Sequence, residues 1–214
     1  MLINNMAKTG AALAIFALVG TAILAFTNDA TKDRIAEEER LFTLRTLGEM
    51  VSPDLYDNDL VSDSFLLINT DYLGNDEPKT VYRARKNGEP IAAIMRTTAP
   101  DGYSGNIDML VAIATDGQLL GVRVVKHKET PGLGDGIDIQ RNDWITGFDG
   151  RSLNNPDKRG WAVKKDGGEF DQLTGATITP RAVVKAVHLC LQYFEQQQSL
   201  LFSAESGNTI DSSE

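Results

Sequence analysis

The sequence predicts an α+β protein: a single N-terminal transmembrane helix, then one extracytoplasmic domain with antiparallel β-hairpins packed against helices. Three observations carry this. Residues 9–27 are 19 consecutive uncharged side chains, mostly Ala, Leu, Ile, Val and Phe. As a helix they span roughly 28 Å, close to a bilayer's hydrocarbon core. In the middle of the chain, apolar runs flank Asn87-Gly88 and Asp116-Gly117, the turn residues of β-hairpins. Near the C-terminal end, Val183, Ala186, Val187, Cys190 and Phe194 repeat at helical spacing behind Thr179-Pro180.

The first element occupies residues 1–28. A cleaved signal peptide would have a shorter apolar run and a small-x-small site behind it. Here the run is long and is followed by Asn28-Asp29-Ala30-Thr31-Lys32, so a retained anchor is expected. Gly10, Ala11, Ala14 and Ala17 fall near one face, where a neighbouring membrane helix would approach closely. Lys8 and the terminal amine precede the run and no acid does, while Glu37, Glu38 and Glu39 follow it. The positive-inside bias puts the N-terminus inside and the main domain outside the cytoplasmic membrane.

Composition narrows the chemistry. The 214 residues carry 21 Lys and Arg against 30 Asp and Glu, a net charge of −9. Lys8 is the only charge before residue 28, so residues 28–214 hold 20 basic and 30 acidic side chains, a net of −10. Such a surface argues against a nucleic-acid partner, which needs a basic face. An apolar fraction of 42% supports a packed core. The one cysteine, Cys190, excludes an internal disulfide and any multi-cysteine metal or iron–sulfur site in this chain. His127 and His188 alone leave little for a histidine-rich metal centre, and no metal site is expected.

Residues 29–78 read as a helical linker and an acidic connecting segment. Ile35, Leu41, Leu44, Leu47 and Val51 form a loose helical repeat that Ser52-Pro53 ends. Residues 79–202 form the α+β domain. Residues 80–85 and 90–97 make the first hairpin, residues 107–115 and 118–127 the second, and each needs a covering layer. A helix around residues 138–148 and the last helix are the candidates. Thr179 is placed as N-cap of that last helix with Pro180 at its first position. His188 and Cys190 read as core packing. Residues 203–214, rich in Ser, Asn, Asp, Glu and Gly, read as a disordered tail.

Two segments have the residue types for ligand chemistry. Asp171-Gln172-Leu173-Thr174-Gly175-Ala176-Thr177-Ile178-Thr179-Pro180 leads into a helix N-terminus. Unpaired N–H groups, the positive end of the helix dipole and three hydroxyls suit an anion there, and a simple capped turn suits the same residues. His127-Lys128-Glu129-Thr130-Pro131-Gly132-Leu133-Gly134-Asp135-Gly136 follows a strand. Its glycines allow close approach to a flat ligand, or mark a flexible β-to-α loop. It has neither the Rossmann spacing nor a Walker lysine. His127 and Glu129 are candidates for an acid–base pair. Tyr103, opening a strand, would put an aromatic beside a ligand, and Lys164 with Lys165 would help neutralise a phosphate. Strand-entry turn and exposed strand lysines are the alternative readings of those two.

Together these motifs resemble the FMN-binding domain family. Thr174-Gly175-Ala176-Thr177, with Asp171 ahead, is similar to that family's flavinylation motif. The resemblance implies FMN bound covalently through a phosphoester to Thr177 and attached by a flavin transferase. Thr174 becomes a donor to the phosphate, with Gly175 and Ala176 beside it. The loop containing Glu129, Thr130, Gly132 and Leu133 resembles the one that lines the flavin. The length and the run from Asp171 to Val184 are most similar to the Rnf branch of the family. That branch implies a membrane complex that passes electrons between ferredoxin and NAD and couples this to ion movement. Other membrane and redox subunits of the complex would be its partners, in the bacterial cytoplasmic membrane with the domain on the periplasmic side. The flavin subunits of sodium-pumping NADH:quinone oxidoreductases, usually longer, are the nearest alternative. A non-redox anchoring or assembly subunit is the alternative from another class.

Overall fold

A computed structural model describes residues 2–213, except for the side chains of residues 2–9, 11, 12, 33, 35, 36, 39 and 42. Lys8, Ala11, Ile35 and Glu39, used above, have side chains outside the described residues. The chain forms two compact units, Met1–Thr43 and Leu44–Glu214.

The first unit belongs to helix α1, Leu2–Met50. Within it Leu13–Lys32 is long and apolar enough to cross a membrane, and none of that window is buried against protein. Thr27 Oγ1 donates to the Ile23 carbonyl and Thr31 Oγ1 to the Thr27 carbonyl, both at 2.8 Å. Hydroxyls satisfied within the helix tolerate an apolar surround.

The second unit is built on a six-stranded sheet of order β5-β4-β3-β2-β1-β6. The strands are β1 (Ser64–Ile68), β2 (Lys79–Lys86), β3 (Glu89–Ala99), β4 (Ile107–Ala114), β5 (Leu119–Lys126) and β6 (Thr209–Asp211). A short helix, α2 (Thr70–Leu73), follows β1, and the long helix α3 (Ile178–Ser203) precedes β6. β1 to β5 run as an antiparallel meander. Both expected hairpins form: Asn87 (φ 52) and Gly88 (φ 84) turn β2 into β3, and residues 115–118 turn β4 into β5. Positive φ at both central residues suits the twist of a two-residue hairpin.

Both faces of the sheet are covered, so β4 reads from Met109 to Ala114 as a continuous apolar run rather than an alternating one. On one face, Ala93, Met95, Met109, Val111 and Ile113 pack under α3. Val183, Ala186, Val187, Cys190 and Phe194 of α3 are all buried, as their spacing predicts. Each large side chain so buried contributes about 1.5–3 kcal/mol. On the other face, Ala92, Ile94, Leu110 and Ala112 meet Leu47, Met50 and Val51 from the end of α1 and the following turn. His188, on α3, stacks flat on Trp161 at 5.0 Å, which supports the packing reading of that residue.

Three expectations are corrected. The helix expected around 138–148 is a short 3-10 turn, Asp143–Phe148, and a first such turn, Gly134–Ile137, lies just ahead of the stretch. Asn142 caps Asp143–Phe148 by accepting from Trp144 N at 2.8 Å, and a segment this short with Gly147 inside does not propagate an α-helix. The tail expected to be disordered supplies β6, which pairs in parallel with β1 through Leu67↔Ile210. A polar strand is sufficient there because its backbone satisfies an otherwise open sheet edge. Its partner β1 and helix α2 lie in the stretch read as a connector, and the compact unit begins at Leu44 rather than residue 79.

Candidate functional site

Three segments meet at the N-terminus of α3: the β3–β4 connection around Tyr103, the loop after β5, and the turn ahead of Thr177. Between them lies a cavity of about 320 Å³, within the range of cofactor sites. Its walls carry Tyr103, Glu129, Thr130, Leu133, Gly175, Ala176 and Thr177, all expected from sequence, together with Gly134, Ile178 and Thr179.

The turn ahead of α3 is fixed at both ends. Trp144 Nε1 donates to the Asp171 carbonyl at 2.7 Å, and Lys164 pairs with the Asp171 carboxylate at 2.5 Å. Lys164 sits on a 3-10 turn, Lys164–Asp166, rather than a strand, and is not part of the cavity wall. Ala176 N donates to the Leu173 carbonyl at 3.1 Å, closing a tight turn that needs positive φ at Gly175 (78°). The loop after β5 folds over the Thr130 carbonyl, which accepts from the N–H groups of Leu133 and Gly134, each at 3.1 Å. Asp135 Oδ1 accepts from Gly132 N at 2.7 Å.

The three threonines of the turn have different environments. Thr174 is exposed and lines a neighbouring cavity of about 430 Å³ with Gly132 and Arg141, so neither Thr174 nor Gly132 faces the first cavity. Leu133 lines both cavities. Thr179 is fully buried, and its Oγ1 donates to Glu129 Oε2 at 2.5 Å. This corrects its expected role: α3 begins at Ile178 with Thr177 as N-cap, because the Thr179 hydroxyl is held by a carboxylate fifty positions earlier. Pro180 still lies in the first turn, where its missing N–H costs nothing. Thr177 is half-buried in the cavity wall and makes no side-chain cap. Its hydroxyl has no hydrogen-bond partner among the described residues.

Glu129 is 4% exposed. Besides Thr179, it accepts from Ser104 N at 2.9 Å through Oε1. The expected acid–base pair with His127 does not form between side chains: His127 Nδ1 accepts from the Glu129 backbone N–H at 3.1 Å. Gly134, in the glycine loop that the sequence singles out, lines the cavity, and its particular need for glycine arises only in three dimensions. A Cβ there would come within 2.7 Å of Glu129 Oε2.

These residues suit FMN. With Thr177 making no cap, the first-turn N–H groups of α3 lack intrahelical acceptors and, with the helix dipole, favour a phosphate. Tyr103, Leu133 and Ile178 are 67%, 46% and 45% exposed at the cavity, apolar surface of the kind an aromatic ring system covers.

Comparison with known proteins agrees with the geometry. The FMN-binding domain family matches residues 102–192, and the RnfG N-terminal region matches residues 1–50. A Shewanella baltica protein, named as the G component of an ion-translocating oxidoreductase complex, is 46% identical over 200 residues, 94% of each chain. The protein of that name in Pseudomonas aeruginosa is 48% identical over 202 residues, 94% of each chain. In Photorhabdus laumondii it is 47% identical over 205 residues, 96% of this chain and 98% of that one. Similarity at this level along nearly the whole length means that the chain belongs to the RnfG family, the G components of ion-translocating oxidoreductase complexes.

Proposed function

We propose that this chain is the membrane-anchored flavin subunit of an ion-translocating ferredoxin/NAD oxidoreductase complex, relaying electrons through FMN esterified to Thr177. The observation that carries this is the Thr177 hydroxyl. Of the three in the motif, it alone both faces the cavity and has no partner among the described residues. Bound FMN supplies reversible electron transfer, which no side chain here provides.

The chain's own residues hold and shield that group. The first turn of α3 receives the phosphate, and Thr177 tethers it. Thr130, Leu133, Gly175 and Ala176 shape the wall, and Tyr103 and Ile178 give the ring an apolar rim. A covalent tether prevents loss of a cofactor on a side of the membrane with no soluble pool to replace it. A flavin transferase is the partner in maturation, and the other subunits of the complex supply and remove electrons. Residues 1–28 anchor the protein in the bacterial inner membrane, with the N-terminus inside and the body on the periplasmic side.

The test is flavin fluorescence of the denatured full-length protein on a gel, with the intact mass measured alongside. The native chain is expected to carry the added mass of one FMN less water and a fluorescent band. Thr177→Ala is expected to lose both, while Thr174→Ala retains them. A fluorescent Thr177→Ala band overturns the assignment.

A further inference from the structure

We propose that Glu129 sets the reduction potential of the bound flavin, holding it low by placing a fixed negative charge in a cavity wall that has no cation. This rests on the FMN reading given above. Among the described residues the wall contains no Lys, Arg or His. Its one ionisable carboxyl, Glu129, accepts hydrogen bonds at both oxygens from neutral donors, Ser104 N–H and the Thr179 hydroxyl. An ionised carboxylate satisfies both of these contacts as an acceptor. No cationic side chain among the described residues pairs with it, and His127 Nδ1 is turned to its backbone. A phosphate site would be expected to have a Lys or Arg. Lys164, the lysine that sequence placed there, is paired with Asp171 instead.

Burying a carboxylate without a countercharge is unfavourable. Here the backbone closes round it: a Cβ on Gly134 would lie 2.7 Å from Oε2, and one on Gly102 would lie 3.0 Å from Oε1. The charge is therefore held at one place and has no room to swing into water. Glu129 is only 4% exposed, so salt screens its charge poorly. Two electrons and two protons leave an isoalloxazine neutral, whereas two electrons and one proton leave it with one negative charge. The Glu129 carboxylate and the ester phosphate both disfavour the anionic product. Reduction is made harder, and it is tied to full proton uptake.

The geometry also gives Thr179 a definite part. As a positioning residue it donates to Oε2 and so disperses the charge. Removing the charge and removing its donor therefore shift the potential in opposite directions, which loosening of the site would not do.

The experiment is a spectroelectrochemical titration at pH 7 of the full-length protein, purified with its flavin, as wild type, Glu129→Gln, Glu129→Asp and Thr179→Val. At the wild-type midpoint, Glu129→Gln is expected to shift the oxidised-to-reduced ratio about tenfold toward reduced, or about 30 mV for a two-electron couple. Thr179→Val is expected to shift it toward oxidised, and Glu129→Asp, which keeps the charge, to stay near wild type. A flavin-loaded Glu129→Gln protein with the wild-type midpoint overturns the proposal, as does movement of Gln and Val variants in the same direction. If Glu129→Gln does not fold or load, Thr179→Val decides: a more negative midpoint supports the proposal, and no change overturns it. A wild-type chain without FMN, seen first as a non-fluorescent denatured band, overturns the flavin reading itself, and with it this inference.

Discussion

Leu133 lies against the backbone of Gly175 so closely that a Cβ on that glycine would come within 2.8 Å of Leu133 Cδ2. The contact has a counterpart. Leu173, from the turn containing Gly175, lies over Gly136, where a Cβ would come within 3.0 Å. Each loop presents a leucine to a glycine of the other: Leu133 and Gly175 line the first cavity, Leu173 and Gly136 the second.

Gly175→Ala meets two obstacles, the contact with Leu133 and a φ of 78°. A side chain at positive φ costs more than about 1 kcal/mol. The expected result is a lower melting temperature and a reduced flavin-to-protein ratio. Adding Leu133→Ala removes the crowding and leaves the backbone strain, so recovery is partial. Full flavin content in Gly175→Ala would show that the two loops need not touch.

The buried Arg83 guanidinium, 2% exposed, pairs with Asp63 at 2.6 Å, and Arg85 reaches the other oxygen of the same carboxylate at 2.8 Å. Partial burial tends to raise the Asp63 pKa, but the Arg85 hydrogen bond and the charges of Arg83 and Arg85 outweigh it and hold it below the usual value of 3.8. A carboxyl depressed on folding contributes stability above its unfolded pKa and loses it as pH falls through the folded one. Asp63→Asn is expected to destabilise the protein at pH 7 by about 3 kcal/mol, the low end for breaking a buried pair, because Asp63 is 20% exposed. The difference from wild type should shrink below pH 4 in thermal melts. An undiminished difference there would assign the effect to something other than this charge.

Cys190 is completely buried in the core under α3, and burial pushes its thiol up to about 12. The thiolate is the reactive form. A maleimide or disulfide reagent at pH 8 is therefore expected to leave the folded protein unmodified and to label one site after denaturation, as read by mass. Rapid labelling of the folded chain would contradict the packing of α3.

Deleting residues 205–214 removes β6, the Ser206 hydroxyl that accepts from Arg83 at 2.7 Å, and the Ser212 partner of Tyr193 at 2.7 Å. With buried hydrogen bonds each worth about 1 kcal/mol, the loss is about 2 kcal/mol or more. At about 2–4 °C per kcal/mol for a chain of this size, the melting temperature is expected to fall by at least about 4 °C. An unchanged melt would mean that the tail does not stabilise the sheet edge.

The parts of this protein legible in the sequence are those whose causes are local. A run of 19 uncharged residues is long and apolar enough to cross a membrane by its own length and composition, with no help from the rest of the chain. Asn87-Gly88 folds back two strands because the turn residues themselves accept positive φ. The apolar stripe from Val183 to Phe194 becomes buried as its period implies.

What lay beyond the sequence are relations between residues distant along the chain. Thr174, Thr177 and Thr179 are chemically alike. Their difference comes from Glu129, whose carboxylate takes the Thr179 hydroxyl, and from the loop after β5, which leaves Thr174 at one cavity and Thr177 at another. The polar tail became a strand because β1, more than 130 residues earlier, had an open edge of unpaired backbone groups. Hydrogen-bond partnership and steric exclusion act through space, and they arise only once the sheet and α3 have brought those segments together.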